Sequence, residues 1–237
     1  MKYHSQSGAV FYYILLAVVL IAGLTYAVSS GNRGNTSFIS DEQAKVAAQE
    51  IIDYGNTVAN AVQKLLLRGC DVTELSFGNN VYMTVDGTLF QPDGHNPNAP
   101  ADGSCDVYKL TGGNISPWKI PNYALYQWSP PPTNSALGTI HTRRSALPGH
   151  GELLEEELFL QGVYIQNEIC KKINDLLGIE NPSENVPRSS GNVATFNGFF
   201  FNTQSRTDDD GVLSGKIAFC AASSVNFGFF AQILYIN

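Results

Sequence analysis

The hydrophobic pattern begins with twenty uncharged residues, from Ala9 to Val28 (AVFYYILLAVVLIAGLTYAV). An α-helix of that length spans about 30 Å, the thickness of the hydrocarbon core of a bilayer. Tyr12, Tyr13 and Tyr26 lie near the two ends of the run, where tyrosine rings suit the membrane–water boundary. The pattern therefore predicts one transmembrane helix over residues 9–28, in preference to a buried core helix, and makes the lipid bilayer an expected partner.

The flanks of this run predict its orientation and leave its processing open. Lys2 and His4 precede the run, whereas Arg33 and then acidic residues follow it. The positive-inside rule therefore predicts a single-pass protein with a cytoplasmic N-terminus and the rest of the chain outside. Three fates fit the segment: a retained anchor, a secretory signal cut near Ala27 and Ser29, or a short leader cut ahead of the run.

After a Gly/Asn/Ser-rich break at residues 29–39, the pattern becomes that of an amphipathic helix. Ser40 and Gln43 have the spacing of a capping box, and apolar residues then recur at helical spacing as far as Arg68. The apolar stripe comprises Ala44, Ala48, Ile51, Ile52, Val58, Ala59, Val62, Leu65 and Leu66. Gly69 is the residue type that ends a helix, so the helix is expected to stop there.

The rest of the chain alternates short β-type runs with irregular loops and one more helix. Strands are predicted at Thr73–Phe77, Asn80–Val85, Glu155–Tyr164, Val193–Asn202, Gly215–Ala222 and Phe227–Ile236. A short helix is predicted from Gln166 to Leu177. This order predicts an α+β fold in which a long N-terminal helix, with a membrane half and an amphipathic half, packs on an antiparallel β-sheet.

Composition narrows the classes of partner. The chain has 237 residues, a formal net charge of −7 and only 15% charged residues, against about 25% in ordinary soluble domains. An acidic chain lacks the electrostatic attraction that nucleic acid requires, so no nucleic-acid partner is expected. The length fits one domain, or one domain with an appendage.

Four cysteines bear on the compartment: Cys70, Cys105, Cys170 and Cys220. Zinc sites bring at least two ligands within a few residues of each other, and no such pair occurs here, so no metal site is expected. An even number of cysteines beyond an export segment predicts two disulfides. Three connectivities are open; pairing Cys70 with Cys105 and Cys170 with Cys220 is favoured because each bridge then stays in its own half. Four free thiols would contradict the predicted orientation.

The N-terminal arrangement resembles the type IV pilin and pseudopilin class. Met1–Gly8 (MKYHSQSG) is a short, polar, basic leader that ends in glycine and is followed at once by the apolar run. The chain is also similar to bacterial pilin-like exported proteins in Gly69-Cys70, in the N-P-N-A-P…S-C loop of residues 96–105 and in the helix that begins at Cys170 (C-K-K-I-N-D-x-L-G). The resemblance implies cleavage between Gly8 and Ala9, a helix half in the membrane, and a sheet packed on its other half.

One position departs from the pilin pattern. Pilins usually carry a glutamate at the fifth mature position, where it meets the N-terminal amine of a neighbouring subunit. Counted from Ala9, that position is Tyr13, so the resemblance implies a pilin-like shape more firmly than it implies filament assembly. The assembly and membrane residues that it implies are Phe11, Tyr12, Tyr13, Leu16, Leu20 and Leu24, and the implied partners are further copies or other pilin-like subunits.

The sequence offers little sign of catalytic chemistry. The four histidines, His4, His95, His141 and His150, are dispersed, and no GxSxG, HExxH, GxGxxG or phosphate-loop motif occurs. We therefore expect neither enzymatic activity nor a cofactor. Asp208, Asp209 and Asp210, followed by Gly211, form the one cluster of hard oxygen ligands; an acidic β-turn is favoured over a calcium site that uses Asp208 and Asp210. Arg143-Arg144 and Glu152–Glu157 are interpreted as a solvated charged face, rather than a subunit contact.

The resemblance, taken with these patterns, implies a disulfide-bonded structural subunit of a surface filament or secretion-type pseudopilus, which assembles through its apolar N-terminal helix. The implied location is the bacterial inner membrane, with a single pass, a cytoplasmic N-terminus and a periplasmic or extracellular bulk. The expected regions are a leader at 1–8, a transmembrane helix at 9–28, a hinge and amphipathic helix at 29–69, and a pilin-like globular domain at 70–237. The alternative is a membrane-tethered periplasmic binding module that does not polymerise, with the loops at 91–104 and 129–150 as its ligand face.

Overall fold

The computed structural model describes residues 13–21, 39–78, 96–126, 140–150, 156–195, 205–222 and 227–236. The chain divides into two compact units, Met1–Phe38 and Ile39–Asn237. In the first unit, residues 13–21 form a helix, which we call α1. The second unit contains two further α-helices and a β-sheet.

The predicted transmembrane helix at 9–28, and with it the predicted single-pass location in the inner membrane, is wrong. The described part of helix α1, residues 13–21, is about 14 Å long at 1.5 Å per residue, less than half of the roughly 30 Å that a bilayer requires. Within the described ranges, no helix combines the length and the apolar character needed to cross a membrane. The remainder of the predicted span, 9–12 and 22–28, lies outside the described residues.

The predicted long N-terminal helix is also wrong, because the amphipathic part is a separate helix with its own start. Helix α2, Asp41–Leu67, begins at Ser40, whose backbone is extended (φ −62°, ψ 156°). The Ser40 hydroxyl accepts a hydrogen bond from the Gln43 backbone N–H, and the Gln43 side chain accepts one from the Ser40 N–H. This capping box starts a new helix, so α2 is not the second half of an apolar one.

Helix α2 buries one face against the sheet. Its buried residues are Ala44, Ala47, Ala48, Ile51, Ile52, Gly55, Val58, Ala61, Val62 and Leu65. Gly55 lies where the helix comes closest to the sheet, since a Cβ there would be 2.9 Å from the Phe230 ring. The helix ends at Gly69, whose φ of +99° is readily adopted only by glycine.

The predicted strand at Thr73–Phe77 is a different structure. Val72–Glu74 form a single 3₁₀ turn, because Asp71 caps it through the Thr73 N–H while Glu74 accepts from the Asp71 N–H. Only Ser76 makes a β-bridge, to Asp106 across the Cys70–Cys105 disulfide loop. The predicted strand at Asn80–Val85 lies outside the described residues.

The sheet contains five strands among the described residues. They are β1 Ile140–Ser145, β2 Glu157–Gln166, β3 Ala194–Thr195, β4 Ala218–Ala222 and β5 Phe227–Tyr235. Their order across the sheet is β3-β1-β2-β5-β4, and every neighbouring pair is antiparallel. Strand β5 therefore lies inside the sheet and β4 forms one of its edges.

The two faces of the sheet build two separate cores. One face, which carries Leu160, Cys220 and Phe230, packs against α2 and the second long helix, α3 (Asn167–Leu177). The other face carries a set of aromatic rings that includes Phe159 and Phe229, and loop residues pack over it. Neighbouring residues of one strand belong to different cores, because successive side chains of a strand point to opposite faces of the sheet.

Candidate functional site

Two disulfides are present, as predicted. Cys70 is bonded to Cys105 and Cys170 to Cys220, which is the pairing favoured from the sequence. The first bridge joins the end of α2 to the loop at residues 96–115, and the second joins α3 to β4. Structural disulfides of this kind persist in oxidising environments and are rare in the cytosol.

The predicted assembly residues fall on α1 or outside the described residues. Tyr13, Leu16 and Leu20 lie on α1, with 69%, 46% and 64% of their surface exposed. The other large apolar residues of this helix are exposed as well: Ile14, Leu15, Val18, Val19 and Ile21. Phe11, Tyr12 and Leu24, and the predicted cleavage residues Gly8 and Ala9, lie outside the described residues.

The acidic cluster is a turn in which Asp208 and Asp210 accept hydrogen bonds from different parts of the backbone, whereas Asp209 accepts from side-chain hydroxyls. Asp208 accepts hydrogen bonds from the backbone N–H groups of Gly211 (2.8 Å), Leu213 (2.7 Å) and Ser214 (2.9 Å). Asp210 accepts one from the backbone N–H of Arg188 at 2.6 Å. The two side chains proposed as calcium ligands are thus both held by backbone donors, on different segments.

Asp209 and Arg206 tie the same loop to residues 189–190 and to the sheet. Hydrogen bonds from the hydroxyls of Thr207 and Ser190 lower the pKa of Asp209. The stability that ionised Asp209 contributes is therefore fully present above the pKa that this carboxyl has in the unfolded chain. It is lost as the pH falls through the lower pKa of the folded state. Burial lowers the pKa of Arg206 to about 10, against the opposing effect of Asp209. Its guanidinium carbon lies 4.3 Å from the centre of the Phe229 ring.

No metal centre is evident in the described parts of the chain, where no three histidine, cysteine, aspartate or glutamate side chains are grouped to hold an ion. His141 is buried in β1, and the ring of His150 lies 3.1 Å from the Lys216 carbonyl oxygen. His4 and His95 lie outside the described residues. The acidic loop is therefore best understood as a structural cover for the aromatic face of the sheet.

Replacing Asp208 by alanine is expected to lower the free energy of unfolding by about 1–2 kcal/mol, because three backbone N–H groups lose a charged acceptor. Urea unfolding followed by circular dichroism measures the loss. Glu180→Ala is the matched control, since it removes an exposed carboxylate in a loop. Equal stabilities of the Asp208 and Glu180 variants would contradict the structural role of Asp208.

Arg144, Glu156 and Glu157 are buried, contrary to the solvated face predicted from the sequence, whereas Arg143 is half-buried and residues 152–155 lie outside the described residues. Arg144 and Glu156 form an ion pair, and both side chains are almost fully enclosed. Glu157 is also buried and accepts a hydrogen bond from the Leu147 backbone N–H at 2.6 Å. The structure therefore uses these charges to hold the start of β2 to the end of β1, away from solvent.

No family model, curated protein or solved structure matches the chain. The resemblance to pilins therefore rests on the residues quoted above.

Two asparagines that matter to the architecture were missed by sequence reasoning. The buried Asn96 side chain donates to the carbonyl oxygens of Thr73 (2.6 Å) and Leu75 (2.9 Å) and so fixes the loop beside Cys105. The buried Asn174 side chain in α3 donates to the Cys220 carbonyl oxygen and accepts from the Cys220 backbone N–H, both at 2.9 Å, and so joins α3 to β4. Asn96 lies within the N-P-N-A-P motif, which was the available signal; Asn174 lies on the apolar face of a helix, where a single polar residue was the only sign.

Proposed function

We propose that this chain is a pilin-like structural subunit, which assembles into a filament or pseudopilus by packing α1 against α1 of neighbouring copies. The observation that supports the proposal is the exposure of every large apolar side chain of α1. Each leucine, isoleucine or valine that becomes buried contributes about 1.5–3 kcal/mol to association. An exposed helix of this composition therefore has a strong drive to associate.

The distribution of apolar residues around α1 indicates how many neighbours it needs. Tyr13 to Leu16 are four consecutive exposed residues, and Val18 to Ile21 are four more. Consecutive residues in a helix point about 100° apart, so these side chains surround the helix on all sides. A helix that is apolar all round becomes buried only when several neighbours enclose it. A filament core provides such an environment, whereas a simple dimer would leave part of the helix in water.

The second unit suits a structural role. Its two disulfides, its two separate cores and the buried Arg144–Glu156 pair make a firmly cross-linked body. His141 is buried, the His150 ring lies beside a backbone carbonyl oxygen, and Asp208 in the acidic turn accepts a backbone hydrogen bond. These side chains therefore serve structural contacts. In the proposed filament, this unit is the folded body of each subunit.

Single charges in α1 test the proposal. We expect Leu16→Asp and Leu20→Asp to abolish assembly of the full chain, because a carboxylate cannot be buried among apolar helices without a partner. Ultracentrifugal pelleting and electron microscopy of the purified protein measure assembly. Leu110→Asp is the matched control: Leu110 is an equally apolar residue of the second unit and is 81% exposed.

The assembly experiment has three distinguishable outcomes. Polymers in the wild type and in Leu110→Asp, together with monomers in both α1 variants, would support the proposal. Polymers that persist in Leu16→Asp and Leu20→Asp would place the contact elsewhere. A wild-type chain that stays monomeric at every concentration would overturn the structural role and favour a module that does not polymerise.

A further inference from the structure

The side of α2 that faces away from the sheet is an unbroken line of exposed residues. The helix buries its other side, on which Ile51, Val58 and Val62 lie. On the outward side, positions from Glu42 to Leu67 follow each other at steps of three or four residues, and every residue along this line is exposed. We call this line the outer stripe. It is about 38 Å long at 1.5 Å per residue, and a second helix can lie along it because it points directly away from the core.

The charges along the outer stripe and its two flanks are separated by sign. The N-terminal half carries three carboxylates and one ammonium group, those of Glu42, Glu50, Asp53 and Lys45. The C-terminal half carries the cations Lys64 and Arg68 and no carboxylate, and residues 54–63 carry no charge. Two such helices that lie in the same direction would therefore place like charges together, whereas opposite directions bring each acidic half to a basic half.

Two exposed apolar residues occupy the ends of the same stripe. Val46 is 54% exposed and Leu67 is 86% exposed. A single exposed apolar side chain is common on protein surfaces, but these two are three heptads apart and so lie on the same side of the helix. The point midway between them falls at positions 56–57, as does the point midway between Glu50 and Lys64. The apolar pair and the charged pair therefore share one centre.

This shared centre makes the outer stripe complementary to itself. When two copies of α2 lie antiparallel with their centres together, Val46 of each copy contacts Leu67 of the other, and Glu50 of each lies opposite Lys64 of the other. Each contact then occurs twice, as in any two-fold interface between identical chains. The antiparallel direction also places the positive end of each helix dipole beside the negative end of the other.

Polar side chains near the centre of the stripe form hydrogen bonds within their own helix. The Gln49 amide donates to the Asp53 carboxylate at 2.9 Å, and the Thr57 hydroxyl donates to the Asp53 carbonyl oxygen at 2.7 Å. These groups keep their partners when a second helix covers them. Contact at the centre therefore does not require new hydrogen bonds across the interface.

The stripe fits a second α2 and does not fit α1. Residues 13–21 carry no charge, so α1 would cover the carboxylates and cations of the stripe with apolar side chains and leave them unpaired. A second α2 supplies charges of the opposite sign at the same spacing. It also supplies an apolar side chain for each exposed apolar residue of the stripe.

We infer that the outer stripe of α2 is a two-fold docking surface for the outer stripe of a second copy of this chain. This inference does not rest on assembly through α1. Exposed ion pairs each contribute little to association, so the two copies pair reversibly and only as the protein is concentrated.

The test uses the full chain with Leu16→Asp, so that association through α1 does not contribute. When this protein is dilute, sedimentation equilibrium is expected to give the mass of one chain, 25.7 kDa. As its concentration rises, the mass is expected to approach twice that value and to go no higher, because a two-fold contact is closed. A closed pair does not pellet, so it is readily distinguished from a polymer.

Charge reversal identifies the contact. Glu50→Lys sets two cations opposite each other and Lys64→Glu sets two carboxylates opposite each other, so each change is expected to weaken dimerisation by about tenfold or more. Glu50→Lys/Lys64→Glu pairs unlike charges again and is expected to regain the lost affinity. Glu180→Lys and Lys216→Glu are the matched controls, because they change the same charges at exposed residues outside α2. They are expected to leave dimerisation unchanged.

A mixture of the two single variants tests the antiparallel direction. Each variant alone places like charges together, but a Glu50→Lys chain paired with a Lys64→Glu chain sets a cation against a carboxylate at both contacts. Equimolar mixing is therefore expected to restore the mass of two chains. Near-ultraviolet circular dichroism confirms that each variant is folded, which is expected because both positions are exposed.

Four results would overturn the inference. The first is a Leu16→Asp protein that keeps the mass of one chain at every concentration, and the second is a dimer that tolerates both charge reversals. The third is equal weakening by Glu180→Lys and Lys216→Glu, which would assign the effect to net charge. The fourth is a double variant and a mixture that both remain single chains. None of these results depends on whether α1 assembles, so the inference and the proposed function fail separately.

Discussion

Glu156→Gln is expected to lower the free energy of unfolding by about 3–5 kcal/mol, the cost of breaking a buried ion pair by removing one partner. The Glu156 and Arg144 side chains are almost completely enclosed where β1 and β2 meet. The substitution neutralises the carboxylate but keeps its shape, so the loss reports the charge. The Arg144 guanidinium would keep its positive charge in a place that water does not reach, which is the source of the penalty.

The matched experiment replaces both charges together. Arg144→Met/Glu156→Met removes both charges of the pair and keeps most of the volume, so we expect it to recover most of the stability that either single replacement loses. Urea unfolding of the wild type, of each single variant and of the double variant completes the cycle. If the losses of the single variants simply add in the double variant, the pair does not act as a unit and the interpretation of this contact is wrong.

Loss of the Cys70–Cys105 disulfide is expected to lower the free energy of unfolding by about 4 kcal/mol. The bridge closes a loop of 35 residues, and opening a loop of that size gives the unfolded chain about this much additional entropy. The folded state also loses a tie between the end of α2 and the loop that Asn96 anchors. Urea unfolding of Cys70→Ser/Cys105→Ser, compared with the wild type, measures the change.

The control for this prediction is treatment of both proteins with a reductant. A reductant should destabilise the wild type by the effect of both bridges, and should destabilise the Cys70→Ser/Cys105→Ser variant only by that of Cys170–Cys220. A loss below about 1 kcal/mol on removing the first bridge would mean that the unfolded chain is already constrained near these cysteines.

Sequence features predicted the helix start and the disulfides of the second unit better than they predicted the helix of the first unit. The start of α2 could be read from Ser40 and Gln43, because a capping box depends only on neighbouring residues. The disulfide pairing was also foreseen, since each bridge joins cysteines within its own half. The apolar run at 9–28 predicted a membrane-spanning helix, whereas the described part of that run is a helix over residues 13–21; apolar composition alone does not specify the length of a helix.

Features that depend on distant contacts were beyond the sequence. Arg144 and Glu156 look like surface charges until the strands bring them together and exclude water. The aspartates at 208–210 suggest a cation, but each is held by donors on separate segments. The role of Asn174 requires knowledge that β4 is an edge and that α3 lies beside it. Periodicity describes which face of an element is apolar and does not describe which partner covers that face.

The position of β5 has a consequence for the order in which the chain folds. It is the last of the five strands along the sequence, yet it lies between β2 and β4 and beneath α2. The Gln63 side chain in α2 bonds to the Leu234 carbonyl oxygen across 171 residues of sequence. During synthesis, α2 and β2 must therefore wait for β5, which follows both of them in the sequence. Contacts of such long sequence separation slow folding, so the nascent chain keeps the apolar face of α2 uncovered until β5 has been made.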